Sequence, residues 1–125
     1  MLGEPRRAGL EARHVDYINL HGTASAVNDA IEDKAVTAVF GVETPLSSTK
    51  GWTGHTLGAA GVTEAAVACL CLERGLLPGC LNTVTVDPQL AGHVVLENQV
   101  QALNTVMSNS FGFGGSNCSL VFRRL

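Results

Sequence analysis

From Leu57 to about Arg74 the sequence keeps helical periodicity, yet Gly58, Ala59, Ala60, Gly61, Ala65, Ala66 and Ala68 leave that helix almost without side-chain bulk. Small faces let a helix approach its neighbours closely, so this helix is predicted to be buried. The rest of the chain is poorly equipped to form a wet surface. Charged residues are only 15% of its 125 residues and hydrophobic ones 46%, too little charge to coat a free monomer. A substantial face is therefore expected to pack against a copy of the chain or a missing part of it. The length suits one modest domain, 1–125.

Other classes are excluded on similar grounds. The net charge of −3, with no basic run or interleaved aromatics, argues against nucleic acid. No stretch is long enough to span a membrane, and Arg6-Arg7 is followed by no apolar core of signal-peptide length, so a cytoplasmic protein is expected. Cys69, Cys71, Cys80 and Cys118 lack metal-ligand spacing and are read as small buried hydrophobes in a reducing compartment.

Along the chain, residues 4–13 read as the tail of a helix and its exit. Val15 to Leu20 alternates apolar and polar residues like a strand with one buried face, and it delivers His21-Gly22-Thr23 at its carboxyl end, where α/β sheets usually hold ligands. Asn28-Asp29 can cap a helix over 30–40, with Ile31, Ala35, Ala38 and Val39 as its apolar stripe against Glu32, Asp33 and Lys34, and Gly41 ends it. Residues 45–49 read as a second strand, feeding Lys50. Two strands thus end on ionisable residues.

The stretch Lys50-Gly51-Trp52-Thr53-Gly54-His55-Thr56 follows, and its glycines predict a turn that places His55 just before the small-faced helix. A helix N-terminus carries partial positive charge and disfavours imidazolium, which suits a histidine serving as hydrogen-bond donor or base. Within the helix Glu64 is the anomaly. On the stripe with Ala60, Gly61, Ala65, Ala68 and Cys69 it would be buried and need a partner, Lys50 or the His55 turn; on the opposite reading it sits on a wet face beside Glu73 and Arg74.

Residues 75–79 read as a helix stop and a turn, and 80–104 as loop with short-strand signals at 81–84 and 93–96, His93 lying at the surface. Residues 105–110 and 117–122 read as two strands joined by Phe111-Gly112-Phe113-Gly114-Gly115-Ser116. The glycine spacing there fits neither a P-loop nor a dinucleotide fingerprint, so a hairpin is predicted, whose amides near Phe113 and Gly114 could form an oxyanion hole.

Taken together, His21-Gly22-Thr23, Asn28-Asp29, Ser47-Ser48-Thr49-Lys50, the Gly54 to Gly61 run, Glu64 and the Asn109 to Gly115 run closely resemble the β-ketoacyl-acyl-carrier-protein synthases, nearest to the dissociated fatty-acid and polyketide enzymes. The resemblance spans nearly the whole chain. It implies a thiolase-like fold, two similar halves in α/β/α/β/α layers with mixed sheets covered by helices, of which this chain is most of the second half. It also implies His21 and His55 as the catalytic histidines, Lys50 and Glu64 as a supporting charged pair, and the Phe113 amide as one oxyanion donor. Thr23 and Ser25, with Phe111 and Gly114 nearby, would then bind the phosphopantetheine arm of acyl-carrier protein, with no cofactor or metal of the enzyme's own.

The departures from that family carry equal weight. Its nucleophilic cysteine belongs to the first half, and none of the four cysteines here has that setting, so the isolated chain is expected to be inactive. Ala24-Ser25-Ala26 stands where relatives carry a Ser-Thr-Pro run, and Gly51-Trp52 is unusual after the lysine. The implied reaction is decarboxylation of malonyl-carrier protein and attack of the enolate on an acyl thioester, with the missing half and a second synthase subunit, the same or different, as partners. The alternative is a non-catalytic subunit resembling a chain length factor, or an interaction fragment.

Overall fold

The computed structural model describes residues 4–125. Helix α1 (Glu4–Arg7) and a 3-10 turn at Ala12–His14 lead into strand β1 (Tyr17–Asn19), which matches the helix tail and exit expected there. Helix α2 (Ala26–Phe40) then returns the chain to β2 (Pro45–Ser47), parallel to β1. A short helix α3 (Lys50–Thr53) and a 3-10 turn at Leu57–Ala59 precede the small-faced helix α4 (Ala60–Arg74). Strands β3 (Leu76–Leu77), β4 (His93–Val94), β5 (Gln99–Val100), β6 (Thr105–Phe111) and β7 (Asn117–Arg123) complete the chain.

The main sheet has the order β4-β2-β1-β6-β7, parallel except for β7, which is antiparallel to β6 across the predicted hairpin. From β1 the chain moves to β2 on one side and later to β6 on the other. The direction of winding thus reverses beside β1, and ligands in such sheets sit at the carboxyl ends of the strands next to that reversal. Here β1 ends at Leu20-His21 and β6 at Phe111, while β2, on the other side of β1, runs out into Ser48-Thr49-Lys50.

Successive strand residues point to opposite faces, and both faces are covered. Tyr17 and Val106 pack with Ala68, Cys71 and Leu72 of α4, whereas Ile18, Leu46 and Met107 pack with Val36 and Phe40 of α2. The expectation of a strand with one buried face is therefore corrected, since all of β1 is buried, Asn19 included. A parallel strand between two neighbours and two helix layers has no wet side.

The apolar stripe of α2 also differs from expectation. Glu32, Asp33, Val36 and Phe40 face the core, while Ile31 is 62% exposed and Ala38 is exposed as well. Backbone amides reward the burial of the two acids: Asp33 accepts from Ala91 and Gly92, each at 2.9 Å. The helix begins four residues early, because the Ser25 hydroxyl accepts from the Asn28 amide and serves as the cap.

Helix α4 buries Ala60, Glu64, Ala68, Cys71 and Leu72 and ends at Gly75 in the left-handed conformation (φ 60°). Cys69, expected on that stripe, faces outward instead and is exposed, as is Cys118, so the reading of all four cysteines as buried holds for Cys71 alone, with Cys80 half-buried. The strand signal at 81–84 forms no strand, and Leu76-Leu77, read as a turn, pairs antiparallel with Gln99-Val100. The outer face of α4 leaves Val62, Ala66 and Leu70 exposed at four-residue spacing. Accordingly, the accessible surface of 7289 Å² exceeds the roughly 6,300 Å² of a compact monomer of this mass.

Candidate active site

The carboxyl ends of β1 and β2 bring His21 and Lys50 side by side, and α3 hands the chain through Gly54 to His55. The His21 and His55 rings lie edge to face with centroids 5.5 Å apart, and the Phe111 ring stands 5.4 Å from His21. One oxygen can thus sit within hydrogen-bond reach, roughly 3 Å, of a nitrogen on each imidazole.

Each histidine is held by its backbone or its neighbour. The Leu57 amide donates to His55 Nδ1 at 3.1 Å. Since Nδ1 accepts, a neutral His55 carries its proton on Nε2 and is a donor there. Leu57 reaches this position with φ 53°, a left-handed conformation that costs a leucine roughly 1 kcal/mol. His21 is fixed through its main chain: its amide donates to Glu32 Oε1 at 2.8 Å, and Lys50 Nζ donates to its carbonyl. The Gly22 amide donates to the other oxygen of Glu32 at 2.9 Å.

Behind the histidines Lys50 pairs with Glu64, and both side chains are almost wholly buried, at 8% and 2% exposure. Of the two readings of Glu64, the structure therefore selects the buried carboxylate with Lys50 as partner. Ser110 adds a hydroxyl at 3.4 Å from the second oxygen of Glu64. Burial, then the charge of Lys50 and the neighbouring His55, hold the His21 imidazole below its ordinary value of 6.5. It is therefore neutral near pH 7, and its Nδ1 takes no partner among the described residues.

Beside this cluster opens a cleft of about 500 Å³ lined by Gly22, Thr23, Asp29, Ser48, Lys50 and His55, with Cys80 and residues 81–90 forming its outer wall. Thr23 therefore faces the cleft. Ser25 does not line it, because its hydroxyl is engaged by the Asn28 amide and, at 3.3 Å, by Thr23 Oγ1. The Phe113 ring is fully exposed at the hairpin tip and its amide takes no partner among the described residues, while Gly114 follows with φ 81°. Neither Phe113 nor Gly114 lines the cleft. The thiol of Cys80 is pushed up by burial, and that of Cys71, on the core face of α4, to about 11.

Glu32 is the residue that sequence reasoning missed. The helical pattern predicts a wet face for it, yet it is 2% exposed and accepts from the amides of His21 and Gly22 and the side chain of Asn109. A legible signal existed: Glu32, Val36 and Phe40 recur at four-residue spacing, and the aromatic fixes that stripe as the buried one. Among the described residues no cluster of three His, Cys, Asp or Glu side chains could hold a metal, and no helix is long and apolar enough to cross a membrane.

The site thus joins two imidazoles and a buried lysine–glutamate pair beside an open cleft. Residues 5–84 match the model of the beta-ketoacyl synthase C-terminal domain, and the chain belongs to that family. It is 50% identical over 113 residues to 3-oxoacyl-[acyl-carrier-protein] synthase 1 of Escherichia coli K12, an alignment covering 89% of this chain and 28% of that protein. The ketosynthase of Xenorhabdus doucetiae, solved in complex with its chain length factor, matches with a TM-score of 0.87 and 45% identity over 94% of this chain and 30% of that one. A beta-ketoacyl synthase from Burkholderia phymatum gives 0.91 and 38% over 97% and 30%. The fold is thus thiolase-like, and the chain spans less than a third of the length of these relatives.

Proposed function

We propose that this chain is the C-terminal portion of a decarboxylating condensing enzyme that lengthens an acyl chain with malonyl-acyl-carrier protein. The observation that carries the reading is the pair of imidazoles with ring centroids 5.5 Å apart, His55 lining the cleft and His21 just behind it, with the Nε2 proton of His55 fixed by the Leu57 amide. In the proposed reaction the carbon–carbon bond to the malonyl carboxylate breaks, carbon dioxide leaves, and the electron pair passes onto the thioester oxygen. His21 and His55 donate to that oxygen and stabilise the enolate more than the ground-state thioester, which is where catalysis is obtained.

Lys50 and Glu64 act indirectly, by holding the His21 carbonyl. The enolate carbon then attacks an acyl thioester on a cysteine outside this chain, with the Phe113 amide as oxyanion donor. As the tetrahedral intermediate collapses its carbon–sulfur bond breaks, the cysteine leaves as thiolate, and the acyl group stays on the carrier-bound chain as a β-ketoacyl thioester. Thr23, on the cleft wall, would meet the phosphopantetheine arm, Phe111 stands against His21, and Ser25 and Gly114, off the cleft in this chain, would reach the arm only with the complementary half in place.

Three partners follow from this reading: acyl-carrier protein, a complementary half bearing the nucleophile, and a second synthase subunit, identical or of the chain-length-factor type. The exposed Val62, Ala66 and Leu70 of α4 support the complementary half. The reaction is placed in the cytoplasm. No cysteine here suits the nucleophile: Cys71 is buried on the core face of α4, Cys69 and Cys118 stand away from the cleft, and Cys80, which lines it, has its thiol pushed up by burial and its sulfur engaged by the Ser48 amide at 3.3 Å, so the chain alone forms no acyl thioester.

The test is a chimaera in which this chain replaces the matching segment of the Escherichia coli relative. Release of carbon dioxide from malonyl-carrier protein, with appearance of the lengthened acyl chain, is the expected result. A folded chimaera that loads acyl groups without releasing carbon dioxide would overturn the reading.

A further inference from the structure

Helix α3 carries Lys50 at its start and hands over to His55 at its end, yet beyond the Lys50 side chain its residues Gly51, Trp52 and Thr53 are all exposed. The side chain of Lys50 reaches inward to Glu64 and the His21 carbonyl, but a four-carbon tether does not by itself fix the helix that bears it. Two contacts of the helix body do. The Trp52 indole Nε1 donates to the Gly79 carbonyl at 3.0 Å. One residue earlier Gly51 has no side chain, and a Cβ there would stand 2.7 Å from the Leu81 carbonyl oxygen, so helix and segment pack backbone to backbone.

The receiving segment is itself tied to the sheet and its neighbours. The Pro78 carbonyl accepts from Ser47, the Gly79 amide donates to Asn98 Oδ1 at 2.9 Å, and the Cys80 amide donates to the Val95 carbonyl at 2.9 Å. Trp52 itself is half exposed and does not line the cleft. We infer that Trp52 is a positioning residue for His55, its indole N–H locking α3 onto the Pro78–Leu81 segment and so fixing where the His55 ring meets His21. This deepens the proposed function, since it rests on His55 being a donor at the reaction centre.

The test uses the 125-residue chain with 15N-labelled histidine, comparing wild type with Trp52→Phe, which keeps an aromatic ring and removes the donor. In wild type the ring nitrogens of His55 should show an accepting Nδ1 and a protonated Nε2, with a cross-peak between the His21 and His55 rings. In Trp52→Phe the nitrogen shifts should converge toward a tautomer mixture and the cross-peak weaken at least threefold, while exposed His93 is unchanged. Unchanged His55 signals with only a lower melting temperature would overturn the inference, because a merely structural tryptophan does just that. Should Trp52→Phe fail to fold, Gly51→Ala decides by the same signals, since its methyl group pushes α3 off Leu81 while keeping the indole.

In the chimaera, Trp52→Phe should lower kcat for decarboxylation about tenfold and leave KM within about twofold, since misplacing a reacting group by a fraction of an ångström costs that much. A twofold change or less in kcat would contradict the inference. If the unsubstituted chimaera releases no carbon dioxide, the proposed function fails, and the histidine signals still decide the role of Trp52.

Discussion

Replacing Lys50 by Met removes a cation from a site where its partner, Glu64, is 2% exposed. The Glu64 carboxylate would keep only the distant Ser110 hydroxyl, at 3.4 Å, and an uncompensated charge buried in this way costs about 3–5 kcal/mol. For a chain of 125 residues that loss lowers the melting temperature by roughly 10–20 °C. The companion variant, Lys50→Met with Glu64→Leu, removes both charges and should recover most of the loss, to within about 1.5 kcal/mol of wild type, because an apolar pair is often no worse than a buried ion pair. Urea denaturation of the wild type, both single variants and the double variant gives the four energies. In the chimaera the double variant should stay defective in decarboxylation, since the His21 carbonyl has lost its donor. A loss below about 1 kcal/mol in Lys50→Met, or a double variant no more stable than the single, would refute the reasoning.

Burial raises the Glu32 carboxyl above its ordinary 4.5 despite the amides it accepts from; its contribution to stability is therefore full below that value and is lost as pH rises through the folded-state value. Stability measured across that range should fall in wild type relative to Glu32→Gln, and parallel curves would contradict this. His21 shifts in the opposite direction, its folded value lying below 6.5. Wild type should accordingly lose stability relative to His21→Gln as pH falls through 6.5 toward the folded value, and the acid limb of decarboxylation kcat/KM should lie below 6.5. Ala24 sits at φ 61° on an exposed turn, so Ala24→Gly should be neutral or stabilising by up to about 1 kcal/mol in thermal melts. Gly22→Ala should instead cost more than about 2 kcal/mol, its methyl group meeting Ser48 Cβ at 2.5 Å with φ 38°.

The strands and helices that carry the site were legible because their signals are local. Alternation marked β1, small residues marked α4, and glycines bracketed the hairpin between β6 and β7. His21, Lys50, His55 and Glu64 stood out as ionisable groups in apolar or glycine-rich surroundings, and the structure brings all four together. Burial depended on information the local pattern does not hold. Glu32 and Asp33 read as a wet face because charged residues seldom lie inside, yet each satisfies two main-chain amides from segments 10 to 59 residues away. The outward turn of Cys69 followed from helix phase, which Leu72 and Cys71 set rather than the alanines.

The measurement that bears most directly on the account is decarboxylation of malonyl-carrier protein by the chimaera carrying His21→Ala or His55→Ala, read beside acyl loading by intact mass. If both imidazoles hold the enolate oxygen, each variant should lose at least about 100-fold in carbon dioxide release, about 2.7 kcal/mol of transition-state stabilisation. Acyl loading should remain within about threefold of wild type. Decarboxylation at the wild-type rate in either variant, or parallel loss of loading and decarboxylation, would contradict the assignment of the pair to the enolate.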